Sequence, residues 1–119
     1  NTETEGNEYF AQIVRTLMDE SGFDQETCED ILLSFCRQTG KLIADIKSYL
    51  KQDNLKETVI LIHQLKGSAG NVRAREIAQL AVRMEETLKN SPESTGALRS
   101  LLEEVERLLK VLSDNRKGR

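Results

Sequence analysis

The spacing of the apolar side chains constrains the fold more than any other feature of the sequence. These side chains recur every three or four positions in five separate segments, which is the period of an amphipathic α-helix rather than of a β-strand. The only proline is Pro92, so long uninterrupted helices are permitted through most of the chain. Aromatic residues make up 4% of the sequence and tryptophan is absent, so the core must be aliphatic. The sequence therefore predicts an all-α protein.

Local start and stop signals divide this pattern into five helices. The signals are Ser21-Gly22, Asp24 as an N-cap, Asp53-Asn54, and Asn90-Ser91-Pro92, where the fourth helix ends and the fifth begins. The predicted helices cover about 7–19, 24–52, 55–72, 75–89 and 93–112, followed by a tail at 113–119. Short connections favour antiparallel neighbours, so we expect an up-down-up-down four-helix bundle with a short extra N-terminal helix capping one end.

Length and charge exclude several classes of protein. The 119 residues suffice for a single domain, and the net charge of −3 argues against a nucleic-acid partner. The basic run Arg116-Lys117-Gly118-Arg119 is typical of a frayed terminus. No apolar run approaches the roughly 20 residues that span a bilayer, and no signal-peptide pattern is present. We expect one domain over residues 1–119 that makes no direct membrane contact and is a monomer in isolation.

Cys28 and Cys36 lie eight positions apart on the predicted second helix. That spacing separates them by roughly 12 Å, which is beyond the reach of a disulfide. One histidine and two distant cysteines provide no metal-ligand set of usable spacing. We therefore expect no metal and no cofactor in this chain, and two packed thiols in a reducing, cytoplasmic compartment.

The third helix carries the strongest functional signal. A helical wheel places its buried stripe on Leu55, Thr58, Ile62, Leu65, Ala69 and Val72. His63 lies about 130° from the centre of that stripe and is predicted to point outward. Lys56, Ile60, Gly67 and Gly70 share its face. The two glycines together sacrifice about 1–2 kcal/mol of helix propensity, which is unusual on an ordinary exposed face.

This combination suits a histidine that another protein must reach. Glycines beside His63 leave the imidazole unobstructed by neighbouring side chains, and Ile60 provides an apolar contact for the partner protein. A neutral imidazole is a nucleophile near neutral pH and can attack an aspartyl phosphate. Lys66, three positions later, is placed to offset the negative charge of the phosphoryl group. The partner protein would supply the phosphoryl donor and any Mg²⁺. A lone surface histidine usually has no specific function. Two glycines on the same face of the helix are much harder to explain as an ordinary feature of an exposed surface.

The segment His63-Gln64-Leu65-Lys66-Gly67-Ser68-Ala69 closely resembles the signature of histidine-containing phosphotransfer (HPt) domains. The family pattern is His-x-Leu-Lys-Gly followed by two small residues and later by a glycine. Phe35 and the stripe from Leu42 to Leu50 resemble the second helix of the family, and Met84-Glu85-Glu86 resembles its downstream Leu-Glu region. The resemblance covers about residues 23–112. At the position of the later glycine this chain has Arg73, which puts the local turn geometry in doubt.

The resemblance implies a phosphocarrier that is not itself an enzyme. By this resemblance His63 is phosphorylated, Lys66 steadies the phosphoryl group and Gly67 keeps the surface open. Lys56, Ile60, Gln64 and Gly70 are the expected partner-binding residues. A receiver domain would pass its aspartyl phosphate to His63, and His63 would pass it to a second receiver. Such modules often form the C-terminal segment of membrane-anchored hybrid sensor kinases, an origin that the start at Asn1 favours.

Two other functions are compatible with a helical bundle. The first is the dimerisation and phosphoacceptor segment of an autokinase, but this chain has neither the length nor the Gly-rich boxes of an ATP-binding domain. The second is a non-phosphorylated scaffold that binds a partner protein. In a scaffold, His63 would be replaceable without loss of partner function.

Overall fold

The structure is a computed structural model that describes residues 2–115, with side chains described for residues 8–114. Five helices and no strand are present in this range, which confirms the all-α prediction. They are α1 (Thr2–Ser21), α2 (Gln25–Lys51), α3 (Leu55–Asn71), α4 (Arg75–Asn90) and α5 (Thr95–Asn115). The predicted basic tail at Arg116-Lys117-Gly118-Arg119 lies outside the described residues. Between residues 2 and 115, none of the helices combines the length and the hydropathy of a membrane-spanning segment.

The boundaries of α2, α3 and α4 agree with the prediction to within one residue, because side-chain caps mark two of their starts. Asp24 accepts a hydrogen bond from the backbone N–H of Thr27 at 2.9 Å, and Asn54 accepts one from Glu57 at 3.2 Å. Each cap satisfies a backbone donor that has no partner within the helix. These two predicted N-termini are therefore confirmed.

The predictions for α1 and α5 were less accurate. The first helix is not short: it covers Thr2–Ser21 instead of 7–19, since its first residues are polar and carry no apolar period. The fifth helix covers Thr95–Asn115 instead of 93–112, so residues 113–115 are helical and not part of a tail. Pro92 does not start α5 but lies in a turn before it, where the backbone N–H of Ser94 donates to Ser91 at 2.9 Å. Proline suits the second position of such a turn.

The turn between α3 and α4 contains the departure from the family pattern. Arg73 has a φ of 66°, in the left-handed region that favours glycine, and a residue with a Cβ pays about 1–2 kcal/mol there. Its guanidinium donates to the carbonyl of Gly70 at 3.0 Å and to the carboxylate of Glu20 at 2.6 Å. Arg73 thus caps the carboxyl end of α3 and ties it to the end of α1, and these exposed contacts offset part of the backbone cost.

The helices surround one apolar core. Helices α2, α3, α4 and α5 form a closed ring in which each contacts its two neighbours, and α1 lies against α2 and α5. From α1, the core receives Phe10, Ile13, Val14 and Leu17. From α3, it receives Thr58, Ile62, Leu65 and Ala69. The two ends of the predicted α3 stripe are less buried, since Leu55 is exposed and Val72 is half-buried. Cys28 and Cys36 are both buried and free.

Candidate functional site

His63 projects from α3 into solvent, in the direction that the helical wheel predicts. Its side chain is 71% exposed. The contact that holds the ring comes from the neighbouring helix, where Oε2 of Glu85 on α4 lies 3.1 Å from Nδ1 of His63. The imidazole is therefore accessible to another protein while one ring nitrogen is fixed by the bundle.

Glu85 also contacts Lys66. Its second oxygen, Oε1, lies 2.8 Å from the ammonium nitrogen of Lys66, so one carboxylate bridges both side chains of the α3 motif. The hydrogen bond from Lys66 holds the pKa of the Glu85 carboxyl below its ordinary value of 4.5, against an opposing effect of desolvation. The ammonium of Lys66 is thus held by the same carboxylate that contacts the imidazole of His63.

The contact with Glu85 determines which nitrogen of the His63 ring carries the hydrogen. An ionised carboxylate can only accept hydrogen bonds, so Nδ1 of His63 must donate its hydrogen to Glu85. The lone pair then belongs to Nε2, the ring nitrogen that Glu85 does not engage. A neutral ring in this form presents a nucleophilic nitrogen to any electrophile that approaches α3. Among the described residues, no group of three or more His, Cys, Asp or Glu side chains is arranged to hold a metal ion.

Two glycines leave the backbone bare beside His63. A Cβ built on Gly67 or Gly70 would meet no atom within 4 Å outside its own stretch of helix. Packing inside the protein therefore does not require a glycine at either position. The buried small residue of the motif is instead Ala69, which lies in the core.

An apolar rim borders the histidine. Ile60 is 49% exposed, Val59 45% and Val82 39%. Val59 and Ile60 lie one helical turn before His63 on α3, and Val82 lies one turn before Glu85 on α4. Of the expected partner-binding residues, Lys56, Ile60 and Gln64 are exposed and Gly70 is half-buried.

Sequence reasoning missed Glu85, Val59 and Val82 as members of this site. Val59 lies only about 90° from the core on the helical wheel, so its exposure was not evident. Glu85 and Val82 belong to α4, and the wheel of α3 carries no information about its neighbour. The one signal for Glu85 was its place in the segment that resembles the downstream Leu-Glu region.

Comparison with models of known protein families identifies the family of this chain. The model of the Hpt domain family matches residues 30–114, a range that contains all of α3 and α4 and most of α2 and α5. The chain therefore belongs to the Hpt domain family, as its motif indicated. Members are phosphocarrier modules rather than kinases, and they act with receiver domains in two-component phosphorelays. No match was found among curated proteins or among solved structures.

Proposed function

We propose that this chain is a phosphorelay intermediate, in which His63 accepts a phosphoryl group from the aspartyl phosphate of one receiver and passes it to the aspartate of another. The observation that carries the proposal is a solvent-exposed imidazole whose Nδ1 is occupied by Glu85, within the segment that the family model matches. We infer that an antiparallel four-helix bundle, with α1 packed against α2 and α5, holds the imidazole in this exposed position.

The reaction needs only one nucleophile from this chain. The Nε2 lone pair of His63 attacks the phosphorus, the bond between phosphorus and the aspartyl oxygen breaks, and its electron pair leaves with the carboxylate. The ring keeps its Nδ1 proton in this step. The second receiver reverses the sequence, since its aspartate attacks the phosphorus and Nε2 leaves. The ammonium of Lys66, one turn from His63, offsets the charge of the phosphoryl group.

The receiver would dock on the face of α3 and α4 that surrounds His63. Val59, Ile60 and Val82 provide apolar area there, and Gly67 leaves room for close approach of a partner backbone. Gly70, Lys56 and Gln64 extend the same surface along α3. No cofactor is assigned to this chain, and any Mg²⁺ would belong to the receiver that holds the aspartyl phosphate.

We place the protein in the cytoplasm, as a monomer and a single domain that is either free-standing or the C-terminal part of a hybrid sensor kinase. Two free, buried thiols support this location, because such thiols persist in reducing compartments.

Phosphoryl transfer is tested by incubating the chain with a receiver that carries radiolabelled aspartyl phosphate. We expect label on the chain that acid removes and alkali does not, and none on His63→Gln. Thermal unfolding would show that His63→Gln is folded, since the ring lies on the surface. Absence of label on the wild type, with equal receiver binding by both proteins, would favour a non-phosphorylated scaffold.

The docking surface is tested by exchanging one exposed apolar side chain for a polar one. Ile60→Ser should weaken receiver binding by about fivefold or more, the scale of a residue that contributes 1 kcal/mol at an interface. Phe23→Ser is the matched control, because Phe23 is equally exposed but lies between α1 and α2. Equal dissociation constants for both variants, measured by calorimetry, would remove Ile60 from the interface.

A further inference from the structure

Three cationic side chains lie around the docking surface without ionic partners. Lys56 lies two turns before His63 on α3, and Lys89 lies one turn after Glu85 on α4. Arg75, at the start of α4, lies about 80° around that helix from Glu85. All three side chains are exposed. Among the side chains described between residues 8 and 114, no ion pair includes any of them.

The acidic side chains of α3 and α4 do not cancel this positive charge. The carboxylate of Glu85 is already paired with Lys66 at 2.8 Å. Glu57 is half-buried and lies about 120° around α3 from His63, on the side that faces α2. Glu86 is exposed, but it lies about 100° around α4 from Glu85, at the border of the surface. The surface around His63 is therefore cationic.

The rest of the chain has the opposite charge. The protein as a whole has a net charge of −3, and residues 8–30 contain seven acidic residues and one basic residue. These residues form most of α1 and the start of α2, and α1 packs against α2 and α5 rather than against α3 and α4. Positive charge is thus concentrated on the α3–α4 side of an acidic protein.

The complement of a cationic surface is an acidic one, and the proposed partner provides it. A receiver that reaches His63 carries an aspartyl phosphate and is the expected holder of Mg²⁺. Mg²⁺ is bound in proteins through carboxylates and phosphate oxygens, so the receiver surface around its aspartate is rich in negative charge. Complementary charges accelerate the diffusional encounter of two proteins and orient them before contact.

We propose that Lys56, Arg75 and Lys89 steer the acidic surface of a receiver onto α3 and α4, against the repulsion expected from the net charge of this chain. The three cations act during the encounter and take no part in the transfer of the phosphoryl group. This inference deepens the proposed function and rests on it.

The first test is the sign of the salt dependence. The association rate constant with a receiver of negative net charge would be measured by stopped-flow fluorescence at about 0.1 M and about 1 M salt, where the Debye length falls from about 10 Å to about 3 Å. Steering by the local cations predicts a slower association at high salt. Repulsion between two acidic proteins predicts a faster one, and that result would overturn the proposal.

The second test compares two double variants with the same change in net charge. Lys56→Gln/Lys89→Gln removes two cations of the surface around His63. Lys41→Gln/Lys110→Gln removes two exposed cations from α2 and α5. At about 0.1 M salt we expect the first variant to associate about threefold more slowly than the wild type or slower still, and the control to stay close to the wild type. Equal association rates for the two variants would overturn the proposal.

The third measurement separates steering from transfer. With a saturating concentration of receiver that carries labelled aspartyl phosphate, Lys56→Gln/Lys89→Gln should reach the same maximal transfer rate as the wild type. A maximal rate that falls together with the association rate would overturn a role confined to the encounter. A wild type that associates with the expected salt dependence but accepts no label would instead overturn the proposed function and leave the steering intact.

Discussion

The two faces of α3 contrast sharply within a helix of 17 residues. The inner face, formed by Thr58, Ile62, Leu65 and Ala69, is completely buried. Even its one polar side chain is satisfied, since the hydroxyl of Thr58 donates to the carbonyl of Asn54 at 2.9 Å. The outer face exposes a histidine, a glycine and an isoleucine, and no side chain between residues 8 and 114 buries them. One face fixes the helix in place, and the other is free to meet a partner.

The contrast teaches that stability and reactivity are separated on one helix. Residues adjacent in sequence, such as Ile62 and His63, belong to different faces, so substitutions at neighbouring positions should affect different measurements. Variants of the inner face should lower the free energy of unfolding. Variants of the outer face should change phosphoryl transfer while changing the free energy of unfolding by no more than about 1 kcal/mol.

The largest expected effect on stability comes from Leu65→Ala on the inner face. Removal of a completely buried leucine side chain should lower the free energy of unfolding by about 2–5 kcal/mol. The adjacent exposed residue provides the control, since Gln64→Ala should change stability by no more than about 0.5 kcal/mol. Urea denaturation followed by circular dichroism gives both values. Similar losses in the free energy of unfolding for the two variants would show that the two faces do not differ in their contribution to stability.

A smaller effect of opposite sign is expected from Gly67→Ala on the outer face. The new methyl group enters open space, so the variant should gain about 1 kcal/mol of stability from helix propensity. It also shields the backbone beside His63, so transfer from a phosphorylated receiver should slow. Gly40→Ala on α2 is the control, because Gly40 is also helical, exposed and free of neighbours within 4 Å. It should gain similar stability with unchanged transfer, and equal transfer rates for both variants would show that Gly67 is not needed for access.

The smallest effect is expected from Lys66→Met at the edge of the outer face. Because the folded-state pKa of Glu85 is depressed, its contribution to stability is fully present above the ordinary value of 4.5 and is lost as pH falls through the folded pKa. Lys66→Met should raise that pKa, with a stability loss near pH 7 below about 1 kcal/mol because both groups are partly exposed. Carbon-13 NMR titration of the Glu85 carboxyl tests the shift. An unchanged pKa would show that Lys66 does not hold the carboxylate.

Much of the fold was predictable because helix caps and apolar spacing are local signals. Asp24 and Asn54 mark helix starts through hydrogen bonds to residues three positions away, and the wheel of α3 needs no knowledge of other helices. Prediction failed where the local signal was weak. The start of α1 is polar, and Pro92 is equally compatible with a turn and with a first helical turn.

The candidate site was predictable only in the part that one helix carries. The sequence of α3 singles out His63, Lys66 and Gly67, whose roles stay predictions. It does not reveal Glu85, which is 22 positions from His63 and meets it only when α3 and α4 pack side by side. The left-handed backbone conformation of Arg73 was likewise not predicted from the sequence, although the departure from a family glycine marked the position where it occurs.

The contact between Arg73 and Glu20 bears on where this chain can be shortened. The family match begins at residue 30, yet Glu20 and the four core side chains of α1 precede it. Truncation to the matched segment would uncover the apolar surfaces of α2 and α5 and would remove the carboxylate partner of a strained residue. We therefore expect the minimal folding unit to include α1 and fragments without it to be prone to aggregation.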